Sequence, residues 1–264
     1  MSDMQVIAVD WSGRAGIAQA EHIWVAQASR GRLMELCNGR TRAQVVEHLG
    51  AVGARGGRVV VGLDFAFSLP AWWLRRHGFG TAREAWRHLA RGGAEELIAE
   101  PRWPFWGAGR SRAPALERRF RRTELRLHEE AGLAPKSVFQ LAGPGAVGVG
   151  SLRGMPCLAT LAERHGFHVW PFDPPGWPRA VEIYPRALTG RLDKGRFRCR
   201  RAHLRRHFVD QDPLLLERAA GSEDAFDAAV SALRMAEHVR ELERLPPATD
   251  ELERLEGRVW VPGL

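Results

Sequence analysis

The sequence predicts an α/β fold in which a mixed sheet is flanked by helices and carries a mostly helical insertion. Two stretches predict the sheet: residues 5–13, QVIAVDWSG, and residues 58–70, RVVVGLDFAFSLP. Each contains a continuous apolar run, which is typical of a strand covered on both faces. Each run ends in its only carboxylate, Asp10 or Asp64. Adjacent strands lie about 5 Å apart, so parallel pairing would bring both carboxylates to one ligand-binding edge.

The first 70 residues predict the order β-β-β-α-β. Residues 22–28 (HIWVAQA) and 32–37 (RLMELC) predict two further strands joined by a turn. Thr41 can cap a helix that runs to about residue 54 and has an apolar inner face. Three meandering strands, a crossover helix and a strand parallel to the first form the front half of a ribonuclease H-like sheet, although the same order also occurs in other folds.

Residues 71–166 are expected to form the helical insertion within a single domain of residues 1–264. Between its helices, residues 101–114 (PRWPFWGAGRSRAP) are too rich in Pro and Gly for regular structure. The aromatic and Arg side chains of this stretch suit the stacking of single-stranded bases or an aromatic plug against the core, and we favour the plug. Helices are predicted over residues 81–90, 94–100, 115–131 and 151–164.

Residues 143–148, GPGAVG, match the GxGxxG pattern of dinucleotide-binding sites. That fingerprint requires a preceding strand and an acid at the end of a second strand about 20 residues further on. Glu163 has roughly that spacing but falls inside a predicted helix, and Pro144 would stiffen the loop. A tight turn beside the active edge therefore explains the match better than a cofactor site.

The last third of the chain predicts strands and helices that bring further acids. Ser222 is expected to cap a long helix, SEDAFDAAVSALRMAEHVREL, in which Asp224, Asp227 and Ser231 line one side. Glu182 stands near the end of a predicted strand. Strands are predicted over residues 167–172, 179–184 and 257–261, and helices over residues 196–208 and 213–220.

The net charge is +8, and the basic residues cluster in residues 110–126 and 191–207. Such a balance favours a polyanionic partner such as nucleic acid. The alternative is that the Arg content reflects the base composition of the genome, because every basic residue except Lys136 and Lys194 is Arg. Three distant cysteines suggest neither disulfides nor zinc. Without a signal peptide or a spanning segment, a cytoplasmic protein with no membrane contact is expected.

The acids at the predicted sheet edge suit divalent cations, because Mg²⁺ and Mn²⁺ prefer oxygen ligands. Two such ions can activate water and stabilise the leaving oxygen in phosphodiester hydrolysis. Asp10, Asp64, Glu182 and Asp227 are the candidate catalytic acids, and Asp10, Asp64, Asp224 and Asp227 are the candidate metal ligands. Two of these acids have a structural alternative, since Glu182 can pair with a neighbouring Arg and Asp224 can complement a helix dipole.

Six ordered motifs together resemble a family of predicted ribonuclease H-like nucleases, domain of unknown function 429. The motifs are AVDWSG, GLDFAFSLP, FRRTE, VFQLAGPGAVGVGSLRGMP, VEIYP and SEDAFDAAVSA, and they span nearly the whole chain. The resemblance implies a ribonuclease H-like fold with Asp10, Asp64, Glu182 and Asp227 at the acidic positions of the family. It also implies that residues 122–124 and 143–154 belong to the core of the family and face the site.

The leading hypothesis is a metal-dependent nuclease or phosphodiesterase that acts on nucleic acid with two Mg²⁺ or Mn²⁺ ions. Ser12, Ser68, Arg122 and Arg186, which stand in or beside the motifs, are the candidate substrate-binding residues. One alternative is a non-catalytic nucleic-acid-binding module of the same fold. A less favoured one is a phosphotransferase of the actin and sugar-kinase type, which needs a second copy of the sheet and a Gly-rich phosphate turn in place of Trp11 and Ser12. The oligomeric state stays open.

Overall fold

A seven-stranded mixed sheet forms the centre of the protein in the computed structural model, which describes residues 4–107 and 112–264. The strand order is β3-β2-β1-β4-β6-β5. β5 pairs with the first residues of β6, and β7 pairs with its last residues. The strands are β1 (Gln5–Asp10), β2 (Trp24–Ser29), β3 (Arg32–Cys37), β4 (Val59–Leu63), β5 (His168–Val169), β6 (Arg179–Ile183) and β7 (Val259–Trp260).

The first three strands form an antiparallel meander, and the rest of the sheet is parallel. β1 pairs antiparallel with β2, which pairs antiparallel with β3. β4 lies parallel to β1 on its other side and parallel to β6 beyond. The sequence predicted this β1–β4 pairing, and it is confirmed. The carboxyl ends of β1, β4 and β6 therefore lie along one edge of the sheet.

Helices cover both faces of the sheet and build most of the segment between β4 and β5. The predicted helix after Thr41 is confirmed, and the Thr41 side chain accepts a hydrogen bond from the N–H of Gln44. The α-helices are α1 (Ala18–His22), α2 (Arg42–Ala54), α3 (Ala71–Arg76), α4 (Ala82–His88), α5 (Ala94–Ala99), α6 (Arg122–Ala131), α7 (Gly148–Arg164), α8 (Pro185–Thr189), α9 (Phe197–His207), α10 (Pro213–Ala220), α11 (Glu223–Glu237), α12 (Val239–Glu243) and α13 (Glu251–Glu256).

The predicted helix over residues 115–131 is interrupted. A short 3₁₀ turn covers Leu116–Arg118, and α6 begins only at Arg122. Arg121 has extended backbone angles, with φ −74° and ψ 162°, and its side chain is fully buried. The break turns Arg121 inward, where its guanidinium bonds to acids rather than to solvent.

Two apolar cores cover the two faces of the sheet. Successive strand residues point to opposite faces, so Val9 and Leu63 belong to the core that α2 and α7 complete. Ala8 and Ile183 belong to the other core, which α11 covers with a row of buried alanines. The face on which a residue lies therefore decides which helices its side chain meets.

The three aromatic side chains of residues 101–114 differ in burial, and Trp106 packs partly buried against the core. Phe105 is buried against Trp73 and Phe139, as the plug interpretation expects, whereas the side chain of Trp103 is partly exposed. Arg110, one of the basic residues singled out here, lies outside the described residues. Among the helices that the structure describes, none combines the length and apolar character needed to cross a bilayer.

Candidate functional site

Asp10 and Asp64 lie next to each other at the carboxyl edge of the sheet. Val9 and Leu63 are paired in register, so Asp10 and Asp64 are the next residues of the two parallel strands. The N–H of Asp64 continues the ladder by donating to the carbonyl of Val9 at 3.1 Å. The register thus brings two acids into direct contact.

The protein raises the pKa of both acids. Burial is the largest cause for Asp10, followed by the charges of Asp64, Asp227 and Asp224. Burial and the charge of Asp227 raise the pKa of Asp64 to about 8. Both shifts mean that ionised carboxylates repel one another here, so this edge retains protons or attracts cations.

Asp227 joins the same cluster from α11. Ser222 caps the helix by accepting a hydrogen bond from the N–H of Ala225 at 3.0 Å, and Asp227 lies one turn further on, on the face turned to the sheet. Its Oδ2 accepts a hydrogen bond from Nζ of Lys194. Its Oδ1 is buried and has no hydrogen-bond partner. Burial raises the pKa of Asp227 even though Lys194 opposes the shift.

Asp224 lies at the rim of the cluster. Its Oδ2 lies 3.0 Å from Nδ1 of His22, and both side chains are about one-third exposed. Its charge still contributes to the raised pKa of Asp10 and of Asp227. The candidate metal ligand Asp224 is therefore placed as an outer charge, with His22 as its partner.

Glu182 lines the same cleft as Asp64 and contributes to its raised pKa, but its side chain is held differently from the expectation. It pairs in register with Leu63 rather than Asp64, so its side chain points to the α7 face, opposite to that of Ile183. Both of its oxygens are occupied by protein groups. Oε2 accepts from the N–H of Phe67 at 2.8 Å, and Arg121 donates to both oxygens.

Arg121 is the centre of a buried ionic network. Its guanidinium donates to Glu182, to Glu124 and to the carbonyl oxygen of Glu256, at 2.5–3.3 Å. Burial alone would lower the pKa of Arg121, but Glu124 and Glu182 outweigh it and raise this pKa. Burial raises the pKa of Glu124 despite the adjacent guanidinium. The network fixes the N-terminus of α6 against β6.

The four candidate substrate-binding residues are held by other parts of the protein. The Ser68 hydroxyl is buried and donates to the carbonyl of Leu255 at 2.6 Å. Arg122 forms a two-pronged pair with Asp250, with N–O distances of 2.7 and 2.8 Å. Ser12 accepts a hydrogen bond from the N–H of Arg14, and Arg186 donates to the carbonyl of Leu192 at 2.8 Å. All four therefore support turns and loops around the site.

A cleft of about 200 Å³ opens beside Asp64. Its walls carry apolar groups, the buried Arg121 network and the cationic side chain of Lys136. Lys136 forms no ion pair with the described residues. The indole Nε1 of Trp11, also in the wall, is buried without a hydrogen-bond partner. The cleft thus has the acid Asp64 at one end and the ammonium group of Lys136 in its wall.

The N-terminus of α7 forms part of this cleft, because Val149 and Gly150 line it. The loop at residues 143–147 precedes the helix as a turn, as the sequence predicted for the GxGxxG match. The turn after β1 is packed directly against this helix end. A Cβ at Gly13 would lie 2.7 Å from the backbone nitrogen of Gly150, so only glycine permits the approach. The first helical turn carries positive partial charge next to the cleft.

Sequence reasoning did not assign a role to Lys194, Lys136 or Arg121. Lys136 and Lys194 are the only lysines among 39 lysine and arginine residues, and both lie at this site. That contrast is a signal in the sequence, although there it served only to raise base composition as an alternative explanation of the Arg content. Arg121 stands in the motif FRRTE beside Arg122, and the sequence alone does not show which of the two arginines is fully buried.

The donor chemistry at this edge suits a divalent cation, although the geometry is not that of a formed metal site. In the described part of the chain, no three His, Cys, Asp or Glu side chains are arranged to hold a metal ion. Lys194 occupies one oxygen of Asp227, and Arg121 neutralises Glu182. Asp10, Asp64 and the unpartnered Oδ1 of Asp227 are oxygen donors of the kind that Mg²⁺ and Mn²⁺ prefer.

Comparisons with protein-family models, curated proteins and solved structures find no match. The chemistry of the three aspartates and the adjoining cleft is therefore the basis for a function.

Proposed function

We propose that the protein is a metal-dependent phosphodiesterase that acts on nucleic acid. One observation carries the proposal: Asp10, Asp64 and Asp227 meet at the carboxyl edge of the sheet, and each has a raised pKa. Crowded carboxylates are costly in a buried position unless a cation compensates them. A cation at this edge would have the open cleft beside it, where a phosphate group can enter.

We propose a ribonuclease H-like topology for the fold. The supporting features are an antiparallel meander of β1, β2 and β3, the crossover helix α2, and β4 parallel to β1. A further parallel strand, β6, extends the sheet beyond β4. The resemblance of the six motifs to the family of unknown function 429 points to the same fold.

Asp10, Asp64 and Asp227 are the residues that would hold Mg²⁺ or Mn²⁺. When bound, such an ion supplies Lewis acidity and lowers the pKa of water. Lys136 and the first turn of α7 would hold a phosphate group in the cleft, because both present positive charge there. Glu182 would keep Arg121 and α6 in place, because both of its oxygens are already hydrogen-bonded.

Nucleic acid is the proposed partner because of the charge of the chain. A net charge of +8 favours polyanions over neutral or acidic ligands. Phosphate contacts would make the affinity fall steeply with salt concentration. The small size of the cleft suits one nucleotide or a strand end better than a duplex, which would have to lie across its rim.

A second candidate is a nucleic-acid-binding module without catalysis. The observation that favours it is that protein cations already neutralise two of the four candidate catalytic acids: Lys194 holds Asp227, and Arg121 holds Glu182. In that case binding would be salt-sensitive, would persist with a chelator and would survive Asp10→Asn.

A cleavage panel separates the two candidates. Labelled single-stranded and duplex DNA and RNA are incubated with the protein and Mg²⁺ or Mn²⁺, and with a chelator. We expect cleavage that the chelator abolishes and that Asp10→Asn and Asp64→Asn each reduce by at least about 100-fold. Asp210→Asn is the matched control, because it makes the same chemical change at an exposed turn.

The variants Asp10→Asn and Asp64→Asn decide whether this cluster carries out the cleavage. Cleavage that survives both Asp10→Asn and Asp64→Asn would place the activity outside this cluster and reject the mechanism. Binding to the same substrates without cleavage, unchanged by the chelator, would support the non-catalytic module.

A further inference from the structure

We propose that the ammonium group of Lys194 takes the place of a second metal ion, so that the site binds one divalent cation. This inference rests on the proposed function only in assuming that the three aspartates bind a cation at all. It departs from a two-ion arrangement, in which each outer aspartate holds an ion of its own.

The position of Lys194 is fixed by several independent contacts. Its Nζ donates to Oδ2 of Asp227, and both side chains are largely buried. Its carbonyl oxygen accepts a hydrogen bond from the guanidinium of Arg200, which is itself buried and also bonds to the carbonyl of Ala220 at 2.8 Å. Arg186 holds the same loop through the carbonyl of Leu192. Lys194 is therefore a built part of the site rather than a mobile surface side chain.

The choice of lysine is itself informative in this chain. Arginine supplies all but two of the basic residues, yet this position holds a lysine. An ammonium is a compact point charge, whereas a guanidinium is a planar fork that needs a wider space. A compact cation can bind one carboxylate oxygen and leave the other oxygen open, as is the case at Asp227.

Lys194 supplies positive charge where a second ion would otherwise bind. Asp10, Asp64 and Asp227 carry three negative charges when ionised, Asp224 adds one at the rim, and Glu182 and Glu124 share the single charge of Arg121. Lys194 places its ammonium directly on Oδ2 of Asp227. A second divalent cation on that oxygen would have to displace Lys194.

The unpartnered oxygen of Asp227 indicates where the single ion would bind. Oδ2 is held by Lys194, while Oδ1 is buried without a partner. A buried carboxylate oxygen without a partner is costly. Asp227 would therefore connect the two cations, with Lys194 on one oxygen and the metal ion on the other.

The test counts the Mn²⁺ ions bound per chain, by electron paramagnetic resonance of free Mn²⁺ during titration of the full-length protein. We expect one ion for the wild type and two for Lys194→Met, because the substitution frees Asp227 and removes a positive charge. The double variant Lys194→Met/Asp227→Asn should return to one ion. Lys136→Met, which removes the other lysine, should stay at one ion.

The outcomes separate this inference from the proposed function. Two ions on the wild-type protein would overturn the role of Lys194 and leave the phosphodiesterase proposal standing. A single ion on Lys194→Met would also overturn it. No bound ion on the wild type would reject the proposed function itself. If Lys194→Met does not fold, Lys194→Gln keeps a donor to Asp227 without the charge and serves the same comparison.

Discussion

Arg121 and Glu182 form a buried pair joined by two hydrogen bonds, of 2.5 and 2.8 Å. The pair connects the start of α6 to the end of β6, and Glu124 shares the same guanidinium. The network holds Glu182 on the face of the sheet opposite to Ile183, where its charge still contributes to the raised pKa of Asp64. Glu182 is thus a structural acid beside a candidate active site.

The first prediction concerns the stability that this network supplies. Arg121→Met leaves two buried carboxylates without their cation, and we expect a loss of about 3–5 kcal/mol in the free energy of unfolding. Urea denaturation of the metal-free protein measures it. Arg126→Met is the control, because it breaks the exposed Arg126–Glu130 pair of the same helix and should cost less than about 1 kcal/mol. Equal losses would show that the buried network has no special role.

The second prediction concerns Asp64 in the metal-free protein. Its pKa is about 8 in the folded state against 3.8 ordinarily, so the folded protein holds a proton that the unfolded chain releases between these values. The stability that this group contributes therefore falls as pH rises from about 4 to about 8. Asp64→Asn should remove this dependence and be the more stable protein at pH 8, by at least about 1 kcal/mol.

Urea denaturation in the presence of a chelator, at several pH values between 4 and 8, measures this difference. The two proteins should differ least at the acidic end, where Asp64 is protonated in the folded state and only partly ionised in the unfolded chain. If the stability advantage of Asp64→Asn over the wild type shrinks toward pH 8, ionised carboxylates do not destabilise the folded protein at this site.

The third prediction concerns Lys136, the cation in the wall of the cleft. Lys136→Met should weaken the binding of a single-stranded oligonucleotide and reduce the slope of log affinity against log salt by about 1, because one phosphate contact is lost. Fluorescence anisotropy at several salt concentrations measures the slope. Arg164→Met is the control, because Arg164 lies at the other end of α7, about 24 Å from the cleft.

An equal change of slope for Arg164→Met would indicate that the charge of the whole protein, and not the cleft, determines binding. An unchanged slope for Lys136→Met would remove Lys136 from the proposed phosphate site.

The fourth prediction concerns His203 on α9. Burial lowers the pKa of His203 to about 4, helped by the charges of His207, Arg234 and Arg206, and its Nε2 is buried without a partner. The unfolded chain binds a proton near the ordinary value of 6.5, so stability is lost as pH falls from about 6.5 to about 4. His203→Gln should flatten this part of the stability curve. A curve that remains as steep as that of the wild type would assign the acid sensitivity to other groups.

Much of the sheet was predictable because apolar runs and turn residues mark its strands. β3 begins and ends where the sequence predicts, and α2 begins after the predicted cap, Thr41. The short helices α3 and α8 were missed, although each follows or contains a proline at its start, Pro70 or Pro185. Short helices are stabilised by their tertiary contacts rather than by a periodic pattern, which explains why periodicity did not reveal them.

The candidate site was predictable only in part, for a geometric reason. Asp10 and Asp64 follow from the two apolar runs, because parallel strands end at one edge. The direction of Glu182 depends on the register of β6 against β4, and a shift of one residue exchanges the two faces. The partners Arg121 and Lys194 depend on how loops fold back over the sheet, which local sequence does not encode.

The restriction of lysine to the candidate site has a practical consequence for spectroscopy. A sample grown with ¹⁵N-labelled lysine would give amide signals from two positions only, Lys136 in the wall of the cleft and Lys194 beside Asp227. A titration with a cation or an oligonucleotide would then report on each end of the site separately, free of overlap from the rest of the chain.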